Sequence, residues 1–455
     1  MKKTLPKDLP SVNKVILEIK KYSEIHESYL KKIIQKEIEV FRKKIKNSDI
    51  NKSSESILEE IKRIVLARSS TNLVNVINGT GIVLHTGFGR APFTSQNLKK
   101  ITKKMEGYVN LEFNLNTGRR GDRQAHIRGI LSAICESESS LVVNNNAAAV
   151  MLAINGVAKD GEVIVSRGEL VEIGGSFRIP DIIHASGAIL KEVGTTNRTH
   201  KKDYENAINK NTKLILAVHT SNYIVKGFTK SVGLAKLVSL GRKYHIPVMV
   251  DWGSGSLLEK ISNNASLDLP ISQLMKKNPD IVTFSGDKLI GGPQSGIIVG
   301  GKNIITNLQK NTLYRTFRPD KLTIGLLEET LRSYRSKSFT KDNLSLNMLK
   351  TSPKTLKTRG EKLLKLIKKN IIKDLGISLV PSFVEAGSGS LPEKNISSMA
   401  LIFDPKFIKC SMLAKKLRLG KTPVVGFIKE NRFYIDLKAV LPNQLLKLSQ
   451  AINSI

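Results

Sequence analysis

Short apolar runs alternate with polar, glycine-containing turns through the middle of the chain. The runs have the length of buried strands, and amphipathic stretches with helical spacing, such as residues 232–242, lie between them. Strands that alternate with helices form parallel sheets whose sites lie at the carboxyl ends of the strands. We therefore predict an α/β core with a mostly parallel sheet. The runs are residues 141–143, 163–165, 189–193, 214–218, 246–250, 281–284 and 297–299.

The two ends of the chain have different patterns. Residues 11–45 and a second stretch after Ser53 carry apolar residues at helical spacing, with 17 Lys and Arg against 10 Asp and Glu through Arg68. We predict a helical domain over residues 1–72, which either binds RNA or packs on a partner. Residues 73–335 would form the core. Residues 336–455 would form a small α+β domain, with helices near 322–335 and 356–372 leading into it.

Composition narrows the class of partner and the compartment. The net charge of +34 in 455 residues is far above what solubility needs, so it favours a polyanionic partner, although a general lysine bias would give the same figure. Aromatic residues are only 5%, which fits a folded RNA better than stacked single strands. The 2 cysteines and the charged N-terminus favour a cytoplasmic location. We also expect no membrane segment and no metal site.

One lysine lies in an unusual place for a solvated charge. Lys288 follows Ser285-Gly286-Asp287 between two apolar runs and precedes a Gly-Gly-Pro turn. Burial would lower the pKa of its amine, and a neutral amine can form a Schiff base with an aldehyde. The alternative from this stretch alone is an ordinary loop lysine.

A carboxylate 37 residues earlier favours the chemical interpretation. Asp251 ends the apolar run at 246–250, and a carboxylate at the end of a buried strand needs a partner. A lysine site that binds pyridoxal phosphate (PLP) requires such an Asp, to keep the pyridine nitrogen protonated. On its own, Asp251 could equally be a capping residue at a turn.

Further polar residues follow other predicted strands. Asn145, Asn146 and Ala147 lead from a strand into an Ala-rich helix, a pattern typical of a phosphate cradle and also of an ordinary Asn cap. Another such turn, after the run at 214–218, carries His219, Ser221 and Asn222. We predict that the cofactor is bound by the residues at these strand ends, namely Lys288, Asp251, Ser285, Asn145, Asn146, Ala147, Ser221 and Asn222.

Three arginines are candidate anion-binding residues. Arg90 stands between Gly and Ala in a glycine-punctuated loop, and Arg315 and Arg318 are spaced to share one face of a helical turn. Each could equally be a surface arginine. A P-loop NTPase is a poor alternative, because Asn303 stands after the GxxxxGK spacing where Ser or Thr must reach magnesium.

The motifs together resemble bacterial selenocysteine synthases, the L-seryl-tRNA(Sec) selenium transferases. The resemblance is clear from about residue 74 to 321, and FSGDKLIGGPQSG is its most specific motif. The chain departs from the family at Gly87-Phe88, where Asn-Leu is usual. The other motifs are VINGTGIVLHTGFGRAPF, NNNAAAVML, SRGELVEIGGSFRIPDI, HTSNY and DWGSG.

The resemblance implies a fold-type-I PLP-dependent transferase core in which Lys288 carries the cofactor and Asp251 holds its ring nitrogen. It also implies that Asp287 lies beside the lysine, and that Arg90, Arg315 and Arg318 bind the selenium donor, selenophosphate. The N-terminal domain would contact serine-charged tRNA(Sec), and the assembly would be a ring-shaped homodecamer built from dimers. The alternatives are a PLP-dependent lyase or transformer of a free amino acid or amino sugar, and an RNA-binding scaffold without a cofactor.

Overall fold

The structure is a computed structural model of the chain, and it divides into two compact units, Met1–Asn75 and Val76–Ile455. The predicted domain boundaries at 72/73 and 335/336 stay predictions, and residue 335 lies outside the described residues. No helix of the described residues is both long and apolar enough to cross a membrane. The structure describes residues 5–22, 25–47, 52–174, 177–223, 225–262, 265–266, 268–334, 336, 339–387 and 396–455.

The described part of the first unit contains three α-helices: α1 (Val12–Ile19), α2 (Glu27–Lys46) and α3 (Ser54–Ser69). Their apolar faces form one buried cluster. The prediction of helix over residues 11–45 is confirmed in type, but the structure has two helices there. The second begins after His26, whose side chain accepts a hydrogen bond from the Ser28 N–H and caps it.

The strands of the second unit form one large sheet, one small sheet and several two-stranded pairs. The strands are β1 (Ile77–Asn78), β2 (Phe113–Asn114), β3 (Arg119–Arg120), β4 (Ser139–Val143), β5 (Glu162–Ser166), β6 (Glu172–Ile173), β7 (Phe177–Arg178), β8 (Ile189–Val193), β9 (Thr212–Val218), β10 (Val248–Asp251), β11 (Lys260–Ser262), β12 (Ala265–Ser266), β13 (Ile281–Ser285), β14 (Gly296–Gly300), β15 (Ser378–Val384), β16 (Ile396–Phe403), β17 (Val424–Val425), β18 (Phe427–Lys429) and β19 (Arg432–Asp436).

The helices of this unit pack mainly on these two sheets. They are α4 (Ser95–Met105), α5 (Ala125–Cys135), α6 (Asn146–Ala158), α7 (Ile179–Ala185), α8 (Lys201–Ala207), α9 (Leu234–Tyr244), α10 (Ile271–Met275), α11 (Lys302–Lys310), α12 (Thr312–Phe317), α13 (Lys321–Ser333), α14 (Phe339–Asp342), α15 (Leu344–Lys350), α16 (Pro353–Leu366), α17 (Lys369–Asp374), α18 (Cys410–Arg418) and α19 (Leu445–Asn453).

The large sheet has seven strands in the order β4-β14-β13-β10-β9-β5-β8. All are parallel except β14, which runs antiparallel to both neighbours. Side chains that alternate along the strands pack against α6, α7 and α11 on one face and against α5, α9, α10 and α13 on the other. The prediction of a mostly parallel α/β core is thus confirmed. The GxxxxGK segment begins in the buried strand β14, which does not form a phosphate-binding loop.

The small sheet, β15-β16-β19-β18, is antiparallel and carries α16, α18 and α19. Gly426 separates β17 from β18, and the helix predicted at 356–372 is split into α16 and α17. β1 pairs with β17, and the Asp436 N–H donates to the Gly79 carbonyl oxygen over 2.7 Å. The start of this unit is therefore hydrogen-bonded to the C-terminal part of the chain.

Candidate active site

Lys288 lies in the loop between β13 and β14 and is only 4% exposed. Burial, and then the nearby positive charge of Arg90, lower the pKa of its amine to about 8. The adjacent Asp287 accepts a hydrogen bond from Arg90 Nη1 over 3.0 Å. Arg90 itself has a left-handed backbone with φ of 60°, which is uncommon for a residue other than glycine. The structure thus brings Lys288, Asp287 and Arg90 together.

Asp251 is the last residue of β10, between β9 and β13, and it is buried. Its Oδ1 accepts hydrogen bonds from Asn146 Nδ2 over 2.8 Å and from Thr283 Oγ1 over 3.3 Å. Burial raises the pKa of the carboxyl group, while these hydrogen bonds and the charge of Lys288 oppose the rise. Asp251 therefore belongs to the same electrostatic cluster as Lys288, as a fixed carboxylate at the edge of the sheet.

Helix α6 begins at this same edge, and its two asparagines have different contacts. The Asn145 side chain caps the helix, because its Oδ1 accepts a hydrogen bond from the Ala148 N–H over 2.9 Å. Asn146 instead reaches Asp251, and Ala147 lies in the first turn, where helical N–H groups are free for an anion. Gly296 packs against the Asn145 backbone so closely that a side chain would collide with it.

The turn after β9 contributes His219 to a stacked pair of aromatic rings. The His219 ring stacks on Trp252, with ring centroids 3.9 Å apart and an interplanar angle of 22°. Burial lowers the pKa of His219, helped by Lys288 and opposed by Asp268. Ser221, two residues after His219, is also buried. The Asn222 side-chain amide donates to the Glu172 carbonyl oxygen over 2.8 Å. The Asn222 amide is therefore held by backbone in this structure.

The residues around Lys288 leave polar atoms and space for a ligand. Gly253 lacks a side chain at a point where a Cβ would lie 3.5 Å from Lys288 Nζ and 3.9 Å from Asn146 Nδ2. Buried polar atoms without a partner are rare in native proteins, and a group of them indicates a bound polar molecule. The set fits PLP, which carries a phosphate, a phenolic oxygen and a ring nitrogen. The unpartnered atoms of the described residues here are Asn146 Oδ1, His219 Nδ1, Ser221 Oγ, Trp252 Nε1, Ser254 Oγ and Asp268 Oδ2.

Arg315 and Arg318 lie in a second cluster. Both line a cavity of about 460 Å³, together with Glu112, Arg120 and Arg123, and Lys288 is not part of its lining. Arg318 Nη1 donates to Glu112 Oε1 over 3.1 Å. The two clusters are linked through backbone, because the Asn144 N–H donates to the Phe317 carbonyl oxygen over 2.9 Å. Within this chain, the structure does not place Arg315 and Arg318 in contact with Lys288.

Several residues of the site were given no role in the sequence analysis. Thr283 is the one polar residue in the apolar run 281–284, which was the available signal for its bond to Asp251. Glu169 follows β5, and its Oε2 accepts a hydrogen bond from the Val218 N–H over 2.9 Å. Burial raises the pKa of Glu169 to about 7. Its position after a strand end was a usable signal, whereas nothing in the sequence singled out Glu112.

The sheet and this site define the class of protein: the fold is that of the fold-type-I PLP-dependent enzymes. A solved structure with this fold is that of D-glucosaminate-6-phosphate ammonia-lyase, with a TM-score of 0.60 and 16% sequence identity. The likeness covers 84% of this chain and 95% of that chain. At this identity the likeness concerns the fold alone.

The chain belongs to one family within that class, because residues 76–441 match the family model described as SelA: L-seryl-tRNA selenium transferase. The L-seryl-tRNA(Sec) selenium transferase of Aquifex aeolicus is 42% identical over 459 residues, covering 100% of this chain and 99% of the relative. That of Alkaliphilus oremlandii is 41% identical, with 98% of each chain covered. That of Carboxydothermus hydrogenoformans is 46% identical over 371 residues, covering 81% and 79%. The family resemblance drawn from the motifs is confirmed.

Proposed function

We propose that this chain converts seryl-tRNA(Sec) to selenocysteinyl-tRNA(Sec) by removing the serine hydroxyl and adding selenium from selenophosphate. The observation that carries the proposal is the buried amine of Lys288 at the sheet edge, electrostatically coupled to Asp251, in a chain of this family. A lyase or transformer of free amino acids shares the fold, but the sequence relatives do not favour it.

The residues that would hold PLP are those at the strand ends. Lys288 would link to the aldehyde, Asp251 would pair with the ring nitrogen, and the N–H groups of Asn146 and Ala147 at the start of α6 would bind the phosphate. Ser221 and Ser285, both buried at the same edge, would supply hydroxyl donors. When bound, PLP supplies an electron sink that makes the α-proton of the seryl group acidic.

The protein side chains would then move one proton. In its neutral form, Lys288 Nζ can accept the Cα proton of the seryl group, and a pKa of about 8 makes that form accessible near neutral pH. The protonated amine can pass the proton to the departing serine hydroxyl, which leaves as water. Asp287, which accepts a hydrogen bond from Arg90, lies beside the amine and favours its protonated form.

Selenophosphate would be bound by Arg90, Arg315 and Arg318, since guanidinium groups match the geometry of phosphate-like anions. Its selenium adds to Cβ of the dehydrated seryl group, and Cα recovers a proton. One water then cleaves the Se–P bond, so the overall products are selenocysteinyl-tRNA and phosphate. Arg315 and Arg318 lie in a cavity apart from Lys288, so this assignment rests on the family resemblance.

The helical domain predicted over residues 1–72 would contact the tRNA. The net charge of +34 supports a polyanionic substrate and predicts an affinity for seryl-tRNA that falls steeply with salt. A cytoplasmic location and a homodecamer belong to the proposal as predictions.

A conversion assay with purified protein, seryl-tRNA(Sec) and selenophosphate tests the proposal. Wild type should form selenocysteinyl-tRNA, and Lys288→Ala should lose both turnover and the cofactor absorbance. Removing residues 1–72 should abolish seryl-tRNA binding while the cofactor stays bound. A truncated protein that keeps its full activity on its substrate would favour the free amino acid lyase instead, and protein without cofactor absorbance would favour the RNA-binding scaffold.

A further inference from the structure

One carboxylate lies at the centre of three arginines in the second cluster. Glu112 Oε1 accepts hydrogen bonds from Arg123 Nε over 2.8 Å and Nη2 over 2.6 Å, and from Arg318 Nη1 over 3.1 Å. Glu112 Oε2 accepts one from Arg120 Nη2 over 2.9 Å. The hydrogen bonds from Arg123 are the main reason that the pKa of Glu112 is lowered, so the carboxylate stays charged. We call Glu112, Arg120, Arg123 and Arg318 the Glu112 cluster.

The cavity beside the Glu112 cluster has an excess of positive charge. Arg315 and Lys310 also line it, and the only other acidic residue of the described lining, Asp122, is paired with Arg128 over 2.8 Å. Arg318 Nε is buried without a hydrogen-bond partner among the described residues, and the Arg315 guanidinium forms no hydrogen bond or ion pair with them. Arg318 Nε and the Arg315 guanidinium therefore remain as hydrogen-bond donors for an anion, in addition to the groups that bond to Glu112.

We propose that Glu112 is a positioning residue for a phosphate-type anion, the selenium donor, and that Arg123 belongs to the same anion site. This inference rests on the function proposed above. Without the carboxylate, three guanidinium groups around one point would repel each other and separate. With it, the hydrogen bonds from Arg123 Nε and Nη2 and from Arg318 Nη1 to Glu112 Oε1 fix both groups, and Arg123 Nη1 also donates to the Pro319 carbonyl oxygen. The N–H groups that Arg123 and Arg318 do not use in these bonds, together with Arg315, then serve one tetrahedral anion.

The same donors could instead bind a phosphate of the tRNA backbone, and the experiment separates the two sources. In the full-length holoenzyme, Glu112→Gln should raise the KM for selenophosphate about tenfold or more, the loss expected for a charge-assisted hydrogen bond. The kcat at saturating donor and the Kd for seryl-tRNA should stay within about twofold. Glu112→Asp, which keeps the charge on a shorter side chain, should recover part of the loss.

A second variant keeps the inference testable if Glu112→Gln does not fold. Arg123→Lys retains the positive charge but cannot make the paired Nε and Nη2 hydrogen bonds to Glu112, so it should raise the donor KM in the same way. The matched controls are Glu106→Gln and Arg119→Lys, two exposed residues nearby that should change nothing. An unchanged donor KM in Glu112→Gln or Arg123→Lys, or a parallel loss of seryl-tRNA affinity, would overturn the inference. A wild type that forms no selenocysteinyl-tRNA would overturn the proposed function instead.

Discussion

Replacing Lys288 with Met should stabilise the cofactor-free protein, although it removes the reactive amine. Lys288 is buried, and its pKa falls from 10.5 to about 8, which means that the folded chain disfavours the charged amine. A difference of roughly 2.5 pKa units corresponds to about 3 kcal/mol. Met has a similar length without the charge, so Lys288→Met should raise the free energy of unfolding near neutral pH by up to about 3 kcal/mol.

The effect should disappear as pH rises, because the folded-state pKa lies below the unfolded one. Below about pH 8 the amine is protonated in both states, and the folded chain bears the whole cost of burying the charge. Between about 8 and 10.5 the folded chain loses the proton first, so the stability of wild type should rise relative to the Met variant. Near pH 10.5 the cost of burying the charged amine should no longer separate the stabilities of the two proteins.

Urea unfolding of the cofactor-free proteins, followed by circular dichroism below pH 8 and near pH 10.5, measures this difference. Lys277→Met is the matched control, because Lys277 is exposed and its loss should leave stability nearly unchanged. The reasoning fails if Lys288→Met is less stable than wild type below pH 8, or if the gap between them does not narrow toward pH 10.5.

Two further substitutions test the same site. Asp251→Asn keeps an oxygen acceptor for Asn146 and Thr283, so the fold and the bound cofactor should persist. Turnover should fall about a hundredfold or more, because the negative charge is lost. Cofactor absorbance and turnover are the measurements, and undiminished turnover would contradict the assigned role. Arg90→Gly and Arg90→Ala both lose the bond to Asp287, but only Ala has a Cβ that is strained by the left-handed backbone at φ 60°. Arg90→Ala should therefore be about 1 kcal/mol less stable than Arg90→Gly in urea unfolding, and equal stability would refute this.

The central sheet and the cluster around Lys288 were predictable because both depend on a local rule. Apolar runs predicted the strands, and the polar residues that follow the runs in the parallel strands lie at the shared carboxyl edge. That rule brings Asp251 and Lys288 to one place although 37 residues separate them. The breaks within the predicted helices were less predictable, since the capping hydrogen bond that His26 accepts from the Ser28 N–H depends on geometry that helical spacing does not encode.

The functions of individual polar residues were not predictable from their positions alone. Asn145 and Asn146 are adjacent and chemically identical, yet one caps α6 and the other reaches Asp251, because successive residues at a helix start point in different directions. Arg90 and Arg318, which were predicted to bind the same anion, also have different partners within this chain. Arg90 bonds to Asp287, whereas Arg318 bonds to Glu112, a residue 206 positions away whose partners no local pattern specifies.

Burial acts on the two central groups in opposite directions, and this connects stability with chemistry. It lowers the pKa of Lys288 and raises that of Asp251, so each charge depends on the other and on polar neighbours. A sheet edge that held only apolar side chains would be more stable, but it would have neither a neutral amine near pH 8 nor a carboxylate for a ring nitrogen. The unpartnered Asn146 Oδ1 and Ser221 Oγ fit the same interpretation, because a bound polar ligand would satisfy them and offset the cost of burying them.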